Sequence, residues 1–386
     1  MSAVERLRVL RVPVALVRPF VTNVRRVEQL DVVLVEATDS AGRIGWGEAA
    51  TSWRVTGESP ESVAAVVGGP LSEAVLGEAV LGEAVLGRTL PNPSVAELLS
   101  GATWGNAAAR SALECALADL EAQGRGMPLA LALGADTSSI RVRTDMTLSA
   151  AAPDVLAEQA AAHVADGFRC LKIKASAGTD TVAGVRAVRA AIGADVSLRI
   201  DANQAWNADT AIRVIRQCED AGLDLQFVEQ PVLAHDLAAM AQVTAAVDTA
   251  IMADESVRTA ADVWAIAERG AAALVNIKLA KTAGLAEAQA AARAAADAGL
   301  GVIFGCMMEG HVGVSAAAHL AAGVAPGVVH DLDAALWLRT SPVVGGVTFD
   351  ADEIVLSAAA GIGIAGLAAD ATVLTDVWAP SRGVAA

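Results

Sequence analysis

The stretch Leu171-Lys172-Ile173-Lys174 alternates two apolar residues with two lysines. Successive side chains of an extended strand point to opposite faces, so both ammonium groups would emerge on the same side. Two like charges side by side are costly, and a solvent-exposed surface alone would not require this arrangement. The stretch therefore predicts a strand whose lysine face serves a site.

Similar short apolar runs follow this strand at regular intervals, and nearly all end in an ionisable residue. They occupy residues 198–201, 226–229, 251–254, 275–278, 302–306 and 328–331, and residues 141–149 form a further run before the lysine pair. Together with the lysine stretch they make eight candidate strands.

The segments between these runs are rich in alanine and have helical periodicity. Several of them stop at a glycine, the residue most common just past a helix end: Gly167, Gly193, Gly222, Gly270 and Gly299. A strand and a helix repeated at this spacing predict an α/β protein with a TIM-type (β/α) barrel.

The ionisable residues all stand at the C-terminal ends of the predicted strands. In such barrels these strand ends form the active-site face. We therefore expect six side chains to converge on one mouth: Lys174, Asp201, Glu229, Asp254, Lys278 and Asp331.

The bulk composition excludes several classes of protein. At 386 residues the chain has room for a barrel and a further domain. A net charge of −16 argues against a nucleic-acid partner, because phosphate binding needs a basic surface. The longest apolar stretch, residues 354–369, is interrupted by Ser357 and by glycines and is too short for a membrane span.

The four cysteines have neither metal-ligand spacing nor the pattern of a small disulfide framework. The N-terminus has no charged-then-apolar signal region. We therefore expect reduced thiols and a cytoplasmic location.

The remaining sequence divides into three parts. Residues 1–135 have antiparallel hairpin character followed by helices, and we interpret them as an α+β capping domain; residues 136–341 form the barrel. Residues 342–386 lose the repeat and are expected to return to the capping domain, which is then discontinuous. Glu-Ala-Val-Leu-Gly occurs three times within residues 72–87, and we interpret it as a replicated insertion without chemistry.

Asp201, Glu229 and Asp254 are three carboxylates on three successive strand ends. Crowded carboxylates raise one another's pKa unless a cation neutralises them, and hard oxygen ligands suit Mg²⁺. Each acid could alternatively pair with an arginine or cap a helix. Three at matching positions favour a magnesium site.

Lys174 and Lys278 stand on predicted strands two and six, on opposite walls of an eight-stranded ring. A lysine acts as a base near neutral pH only if its pKa falls from about 10.4 to about 7–8, and we expect Lys172 and Mg²⁺ to lower it. Two such bases can remove a proton next to a carboxylate and return one to the opposite face. A structural ion pair for Lys278 and Schiff-base chemistry remain alternatives.

Five motifs carry a resemblance to a known family: Lys172-Ile-Lys174, Asp201-Ala-Asn203, Glu229-Gln-Pro231, Asp254-Glu-Ser256 and Asn276-Ile-Lys278. This set resembles the enolase superfamily in its muconate-lactonising subgroup. The resemblance implies a (β/α)₇β barrel with a capping domain that closes over the mouth. It also implies one Mg²⁺ per subunit on Asp201, Glu229 and Asp254, Lys174 and Lys278 as the acid/base pair, and Lys172 as a residue that polarises the substrate carboxylate.

Within that superfamily, Asp331-Leu-Asp333 resembles the mark of the dipeptide epimerases. Two carboxylates one residue apart share a strand face and could bind the α-ammonium group of a dipeptide. The same resemblance implies that Thr147 and Cys306 line the substrate pocket.

The loop of residues 19–25 is similar to that of L-Ala-D/L-Glu epimerases, in which an arginine meets the acidic side chain of the second residue. Arg25 takes that position here; Arg26 is the alternative, and a surface role for the arginine is another. The segment Lys281-Thr-Ala-Gly284 departs from the family's usual Gly-Gly pair, a difference that we expect to leave the chemistry untouched.

The sequence thus predicts a Mg²⁺-dependent dipeptide epimerase that acts on L-Ala-L-Glu-type dipeptides, as in the recycling of cell-wall peptides. An N-acylamino acid racemase, an o-succinylbenzoate synthase and a muconate cycloisomerase are alternatives, and a non-catalytic binding barrel lies outside this class. The resemblance further implies that the protein binds a small-molecule substrate, a dipeptide, and that it forms a homo-oligomer.

Overall fold

The fold is taken from a computed structural model that describes residues 3–21, 26–76, 94–136, 141–175 and 180–379. Among these residues, no helix has the length and apolar character needed to cross a membrane. An antiparallel sheet with helices comes first in the chain, and a barrel of parallel strands follows. Several short strands come after the barrel.

Three antiparallel strands begin the chain: β1 (Val4–Val21), β2 (Arg26–Asp39) and β3 (Ile44–Ala49). The helices that follow are α1 (Pro60–Val66), α2 (Ser72–Val75), α3 (Val95–Ala102), α4 (Ala107–Gly124) and α5 (Leu129–Ala132), and a π-helical turn (Val67–Leu71) joins α1 to α2. Helix α4 lies directly on β3, because a Cβ atom at Gly47 would come within 1.8 Å of the carbonyl oxygen of Ala112. Glycine on β3 therefore permits this close approach.

The barrel follows as alternating strands and helices. Its elements are β4 (Arg141–Thr144), β5 (Met146–Leu148), α6 (Pro153–Ala165), β6 (Cys170–Lys174), α7 (Thr181–Ile192), β7 (Ser197–Asp201), α8 (Ala208–Asp220), β8 (Leu225–Glu229), α9 (Leu237–Ala246), β9 (Ile251–Ala253), α10 (Ala260–Arg269), β10 (Leu274–Lys278), α11 (Leu279–Thr282), α12 (Leu285–Asp297), β11 (Gly301–Gly305), α13 (His311–Val324) and β12 (Val329–His330). Both α11 and α12 follow β10, and no regular α-helix follows β12 within the described residues. This order confirms the predicted (β/α)₇β barrel.

Strands β5 to β11 pair in parallel in chain order. Gly305 forms a bridge to Asp331, and β12 pairs in parallel with β4, so the ring closes through the last strand. The prediction of one uninterrupted strand over residues 141–149 is wrong at Asp145. This residue separates β4, which pairs with β12, from β5, which pairs with β6.

Beyond the barrel, a 3₁₀ turn (Ala334–Trp337) leads into β13 (Val343–Gly345), β14 (Thr348–Asp350), β15 (Glu353–Val355), β16 (Ile364–Leu367) and β17 (Thr372–Trp378). Strand β17 pairs antiparallel with β1, with Leu7 opposite Val377. The last described strand therefore belongs to the same sheet as the first.

Buried carboxylates of the N-terminal region hold it against the barrel. Glu48 on β3 accepts hydrogen bonds from the N–H groups of Gly310 (2.5 Å) and Gly313 (2.9 Å) at the start of α13. Glu114 on α4 accepts one from Ala286 (2.9 Å) at the start of α12. The first N–H groups of a helix have no partner within the helix, so these carboxyl acceptors satisfy them and fix the sheet and α4 relative to the barrel helices.

The predicted repeat lies mostly outside the described residues. The description stops at Leu76, one residue before the first repeat ends, and resumes at Ser94.

Candidate functional site

The predicted metal-binding and acid/base residues lie together at the C-terminal ends of the barrel strands. Lys174, Asp201, Glu229 and Lys278 are the last residues of their strands, and Asp254 follows β9 directly. The parallel register aligns Lys174 with Asp201 and Asp201 with Glu229. Side chains separated by many residues in sequence thus meet at the same mouth.

Asp201, Glu229 and Asp254 form a buried trio in which one oxygen of each carboxylate lies within 4.8 Å of the others. Burial raises the pKa of Glu229 well above its usual value, and the charge of Asp201 adds to this effect. Oε2 of Glu229 has no hydrogen-bond partner among the described residues. A compact set of oxygen ligands with one unsatisfied buried oxygen fits Mg²⁺.

The two lysines of the predicted acid/base pair contact this trio from different strands. Nζ of Lys174 lies 2.5 Å from Oδ2 of Asp201, and Nζ of Lys278 lies 2.9 Å from Oδ2 of Asp254. The fall in the pKa of Lys278 that is expected when Mg²⁺ is bound stays a prediction. Burial acts in the expected direction, but the charges of Asp254 and Asp331 outweigh it and hold the pKa of Lys278 well above its usual value.

Lys172 lies between the trio and the end of strand eight. Its ammonium group contacts Oδ1 of Asp331 and lies 3.7 Å from Oε2 of Glu229. Burial opposes its charge, but these carboxylates still raise the pKa of Lys172 well above its usual value. These contacts hold the Lys172 ammonium group between the two groups of carboxylates.

A second group of buried carboxylates consists of Asp145, Asp331 and Asp333, again within 4.8 Å of one another. Oδ2 of Asp333 accepts hydrogen bonds from the N–H of Thr147 (2.8 Å) and from Nε1 of Trp337 (3.1 Å). These donors fix Asp333 in place, so the group presents concentrated negative charge suited to a cationic ligand.

Asp145 was not predicted from the sequence. Its Oδ2 lies 2.8 Å from Nη1 of Arg199, while its Oδ1 has no hydrogen-bond partner among the described residues. Burial and the charge of Asp331 raise the pKa of Asp145 to about 7. The signal that could have identified it is an acid within the first predicted strand, where an apolar residue is expected.

A cavity of about 350 Å³, a size typical of small-molecule sites, reaches Asp254 of the trio and Asp331 and Asp333 of the second group. Among the residues that line it are Lys172, Lys174, Asp254, Lys278, Asp331, Asp333, Thr147 and Cys306. Sγ of Cys306 donates to the carbonyl oxygen of Asp331 at 3.3 Å, and burial raises the pKa of this thiol well above its usual value. Cys306 is therefore a wall of the cavity and not a nucleophile.

Lys281 also belongs to the site. Its Nζ lies 2.5 Å from Oδ1 of Asp254 and donates to the carbonyl oxygen of Asn276 at 3.2 Å. Lys281 therefore contacts a predicted magnesium ligand, and the expectation that this segment leaves the chemistry untouched stays a prediction. Its position one helical turn beyond Lys278 was the available signal.

Asn276 is a further residue whose role the sequence did not indicate. Its Nδ2 donates to Oε1 of Glu229 (2.8 Å) and to Oδ2 of Asp331 (3.1 Å). One amide thus links the trio to the acids of strand eight and fixes the distance between the two groups.

Arg25, the predicted contact for an acidic substrate side chain, lies outside the described residues. Arg26 begins β2, is exposed and forms an ion pair with Glu28 at 3.1 Å. The alternative between these two arginines therefore stays a prediction.

Two protein-family descriptions match the chain. The mandelate racemase / muconate lactonizing enzyme N-terminal domain matches residues 5–134, and the enolase C-terminal domain-like family matches residues 155–368. The two matches cover the capping region and the barrel.

Individual relatives cover almost the whole chain. The L-Ala-D/L-Glu epimerase of Bacillus subtilis (strain 168) is 38% identical over 366 residues, which are 94% of this chain and 97% of that protein. Its substrate-liganded structure superposes with a TM-score of 0.88 at 37% identity and covers 95% of this chain and 100% of that one. A dipeptide epimerase from Enterococcus faecalis V583, complexed with Mg and L-Leu-L-Tyr, has a TM-score of 0.85 at 34% identity, with coverages of 94% and 99%.

Proposed function

The chain belongs to the mandelate racemase / muconate lactonizing enzyme family, and from this premise we propose that it is a Mg²⁺-dependent dipeptide epimerase. The family, the fold class and the isomerase class predicted from the sequence are confirmed by these relatives. The proposed reaction inverts the α-carbon of the C-terminal residue in dipeptides of the L-Ala-L-Glu type.

The observation that supports this proposal most strongly is that one cavity has both positively and negatively charged side chains in its wall. Lys174 and Lys278 line it, and so do Asp331 and Asp333. A free dipeptide carries an ammonium group at one end and a carboxylate at the other, and it can satisfy both. An N-acylamino acid has no ammonium group and would leave Asp331 and Asp333 facing an apolar or anionic group, at a cost.

In the proposed proton transfer one lysine acts as the base and the other as the acid. The C–H bond at the α-carbon breaks, its electron pair remains on the carbon and the adjacent carboxylate, and the proton moves to a neutral lysine. The second lysine, as an ammonium group, donates its proton to the opposite face of the same carbon. Lys174 on β6 and Lys278 on β10 lie on opposite walls of the ring and so support inversion.

The other residues bind and orient the substrate. Asp201, Glu229 and Asp254 would hold the magnesium ion. When bound, Mg²⁺ supplies positive charge that offsets the charge of these carboxylates and of the reacting carboxylate. Lys172 adds a fixed positive charge, while Asp331 and Asp333 bind the ammonium group of the substrate.

Hydrogen exchange tests the proposal. The protein is incubated in D₂O with Mg²⁺ and, separately, L-Ala-L-Glu, L-Ala-L-Leu or an N-acetyl or N-succinyl amino acid, and proton NMR follows the α-hydrogen. We expect loss of the α-hydrogen of the C-terminal residue and appearance of the second diastereomer with a dipeptide. Exchange with N-acylated amino acids but with no dipeptide would replace this function by that of an N-acylamino acid racemase.

We also propose that the enzyme is a cytoplasmic homo-oligomer without nucleic-acid or membrane partners. The net charge of −16 and four free, buried cysteines support this environment. Light scattering coupled to size-exclusion chromatography tests the oligomer, and a monomer at micromolar concentration would contradict it.

A further inference from the structure

The end of the first strand packs against a tryptophan that follows strand eight. Arg18 and Phe20 lie two residues apart on β1, and both contact the ring of Trp337. The guanidinium carbon of Arg18 lies 4.7 Å from the centre of the indole ring, and Phe20 meets the ring edge-to-face with centroids 4.9 Å apart. Cation–π and edge-to-face contacts both stabilise a tryptophan in one orientation. The capping strand therefore fixes the ring of Trp337.

Trp337 in turn contacts a residue of the proposed ammonium site. Its Nε1 donates to Oδ2 of Asp333 at 3.1 Å, and its ring is only 1% exposed. Asp333 lines the cavity, whereas Arg18 and Trp337 are not among the described residues that do so. A change at Arg18 therefore reaches the substrate through the indole ring or through its charge.

A neutral histidine holds Arg18 on this ring. Arg18 is half-buried, and Nη2 of its guanidinium group lies 2.7 Å from Nε2 of His163 on α6. Its Nε has no hydrogen-bond partner in the described part of the chain. Because an arginine can only donate, Nε2 of His163 accepts and the proton of the neutral imidazole is on Nδ1.

Protonation of His163 would remove this acceptor. Both nitrogens of an imidazolium ring are donors, and its positive charge would face that of Arg18. Burial and the charge of Arg18 lower the pKa of His163, while Asp166, just past α6, and Asp333 act in the opposite direction. His163 is therefore neutral at neutral pH and takes up a proton only below the ordinary histidine pKa of about 6.5.

The backbone around Arg18 is held in place without using its side chain. Leu16 forms an antiparallel bridge to Leu338. On the other side of Arg18, the N–H group of Val21 donates to Oγ of Ser149 at 2.6 Å. Substitutions of Arg18 therefore change its contact with the indole ring while the end of β1 stays attached to the barrel.

We propose that Arg18 is a positioning residue for substrate recognition: held by His163, it fixes Trp337 so that the indole N–H orients Asp333 toward the ammonium group of the dipeptide. Protonation of His163 releases Arg18 and weakens the binding of this ammonium group at acidic pH. The inference rests on the proposed epimerase function and adds a pH-dependent control of its ammonium site.

The charge of Arg18 alone would have the opposite effect. Arg18 and Asp333 attract each other, so loss of the arginine makes the ammonium site more negative and would tighten binding of a cation. Loss of positioning weakens this binding instead. The sign of the change in KM in Arg18→Met therefore separates the two effects.

The first test measures kcat and KM for L-Ala-L-Glu at about pH 7.5, where His163 is neutral. Arg18→Met should raise KM about three- to tenfold and change kcat much less. Arg18→Lys keeps the charge without the planar group and should have a KM between those of Arg18→Met and the wild type. Arg6→Met is the matched control, because it removes a similar contact with Trp378 (4.5 Å) on the edge strand β17, and it should leave both constants unchanged.

The second test measures the pH dependence. Asp145, with a pKa of about 7, takes up a proton in the same range in every variant, so the informative quantity is the difference between proteins. From about pH 7.5 to about pH 5.5, KM should rise more in the wild type than in His163→Gln, which keeps an acceptor for Arg18 but does not titrate. The indole N–H signal of Trp337 in proton–nitrogen NMR spectra, assigned with Trp337→Phe, should shift with pH in the wild type and much less in His163→Gln.

Three results would overturn the inference. They are an unchanged or lower KM in Arg18→Met, an equal rise of KM in Arg6→Met, and the same pH dependence of KM in the wild type and His163→Gln. In each case the α-hydrogen of the dipeptide still exchanges, so the epimerase function stands. Absence of α-hydrogen exchange with every dipeptide would instead reject the proposed function, and the inference with it.

Discussion

Lys281 places its ammonium group 2.5 Å from Oδ1 of Asp254, and the same carboxylate contacts Lys278 through Oδ2 at 2.9 Å. All three side chains are buried. Lys281 also donates to the main-chain oxygens of Asp254 and Asn276, so it connects the ends of two neighbouring strands. Burial opposes ionisation of Asp254, but the two lysines hold its pKa below the usual value.

Replacing Lys281 by methionine would leave one oxygen of a buried carboxylate unpaired. Removal of one partner of a buried ion pair typically lowers the free energy of unfolding by about 3–5 kcal/mol. We expect Lys281→Met to have a clearly lower Tm in EDTA and to gain more from added Mg²⁺ than the wild type does, because the ion supplies charge to Asp254. Differential scanning calorimetry with and without Mg²⁺ measures both effects.

The control for this experiment is Arg269→Met, which removes only an exposed hydrogen bond to the carbonyl oxygen of Ala265. It should leave the Tm almost unchanged. A Lys281→Met protein with the wild-type Tm in EDTA, or with the wild-type response to Mg²⁺, would contradict a role in holding Asp254.

Asp333→Asn should weaken substrate binding without unfolding the protein. The asparagine oxygen can still accept from Thr147 and Trp337, but the negative charge is lost. A hydrogen bond to a charged group contributes about 1.5–3 kcal/mol, so KM for L-Ala-L-Glu should rise roughly 10- to 100-fold. Steady-state kinetics measures this change, and circular dichroism checks that the Tm stays close to that of wild type.

Glu28→Gln serves as the matched control, because Glu28 is exposed and its replacement also removes one negative charge. This variant should have the KM of the wild type. An unchanged KM in Asp333→Asn would exclude Asp333 from ammonium binding.

Glu48 should make the stability of the protein depend on pH. Burial, together with the charge of Glu309, raises the pKa of Glu48 to about 8 in the folded protein. The folded state therefore binds this proton more tightly than the unfolded state does. The contribution to stability is complete below the ordinary glutamate pKa and is lost as the pH rises toward about 8.

Glu48→Gln removes this titration while keeping one acceptor for Gly310 or Gly313. We expect the free energy of unfolding of the variant, relative to wild type, to increase between about pH 6 and pH 9 by an amount on the order of a few kcal/mol. Urea unfolding at both pH values measures it, with the exposed Glu5→Gln as control. A difference that is constant with pH would show that Glu48 does not titrate in this range.

The positions of the main site residues follow from local sequence patterns. An apolar run that ends in a charged residue marks a strand end, and parallel strands bring their ends to one edge. Lys174, Asp201 and Glu229 could therefore be located together from sequence alone, and the observed register aligns them. The alternation of Lys172 and Lys174 likewise predicted that both would line the same cavity.

Other parts of the site depend on contacts that no local pattern encodes. Glu48 and Gly310 are 262 residues apart, so the attachment of the capping sheet to α13 could not be predicted. The interruption of the first barrel strand at Asp145 results from the pairing of β4 and β5 with different neighbours. The pKa of Lys278 depends on the balance between burial and nearby carboxylates, which only the folded geometry determines.

In the proposed reaction Lys174 and Lys278 act on opposite faces of one α-carbon. The most direct measurement incubates L-Ala-L-Glu and L-Ala-D-Glu separately in D₂O with Mg²⁺ and with the wild-type, Lys174→Ala or Lys278→Ala protein. The wild-type protein should exchange and invert both diastereomers. Each variant should lose inversion and retain α-hydrogen exchange with only one diastereomer, a different one for each lysine. Near wild-type inversion in either variant, or exchange of the same diastereomer by both, would contradict the proposed reaction.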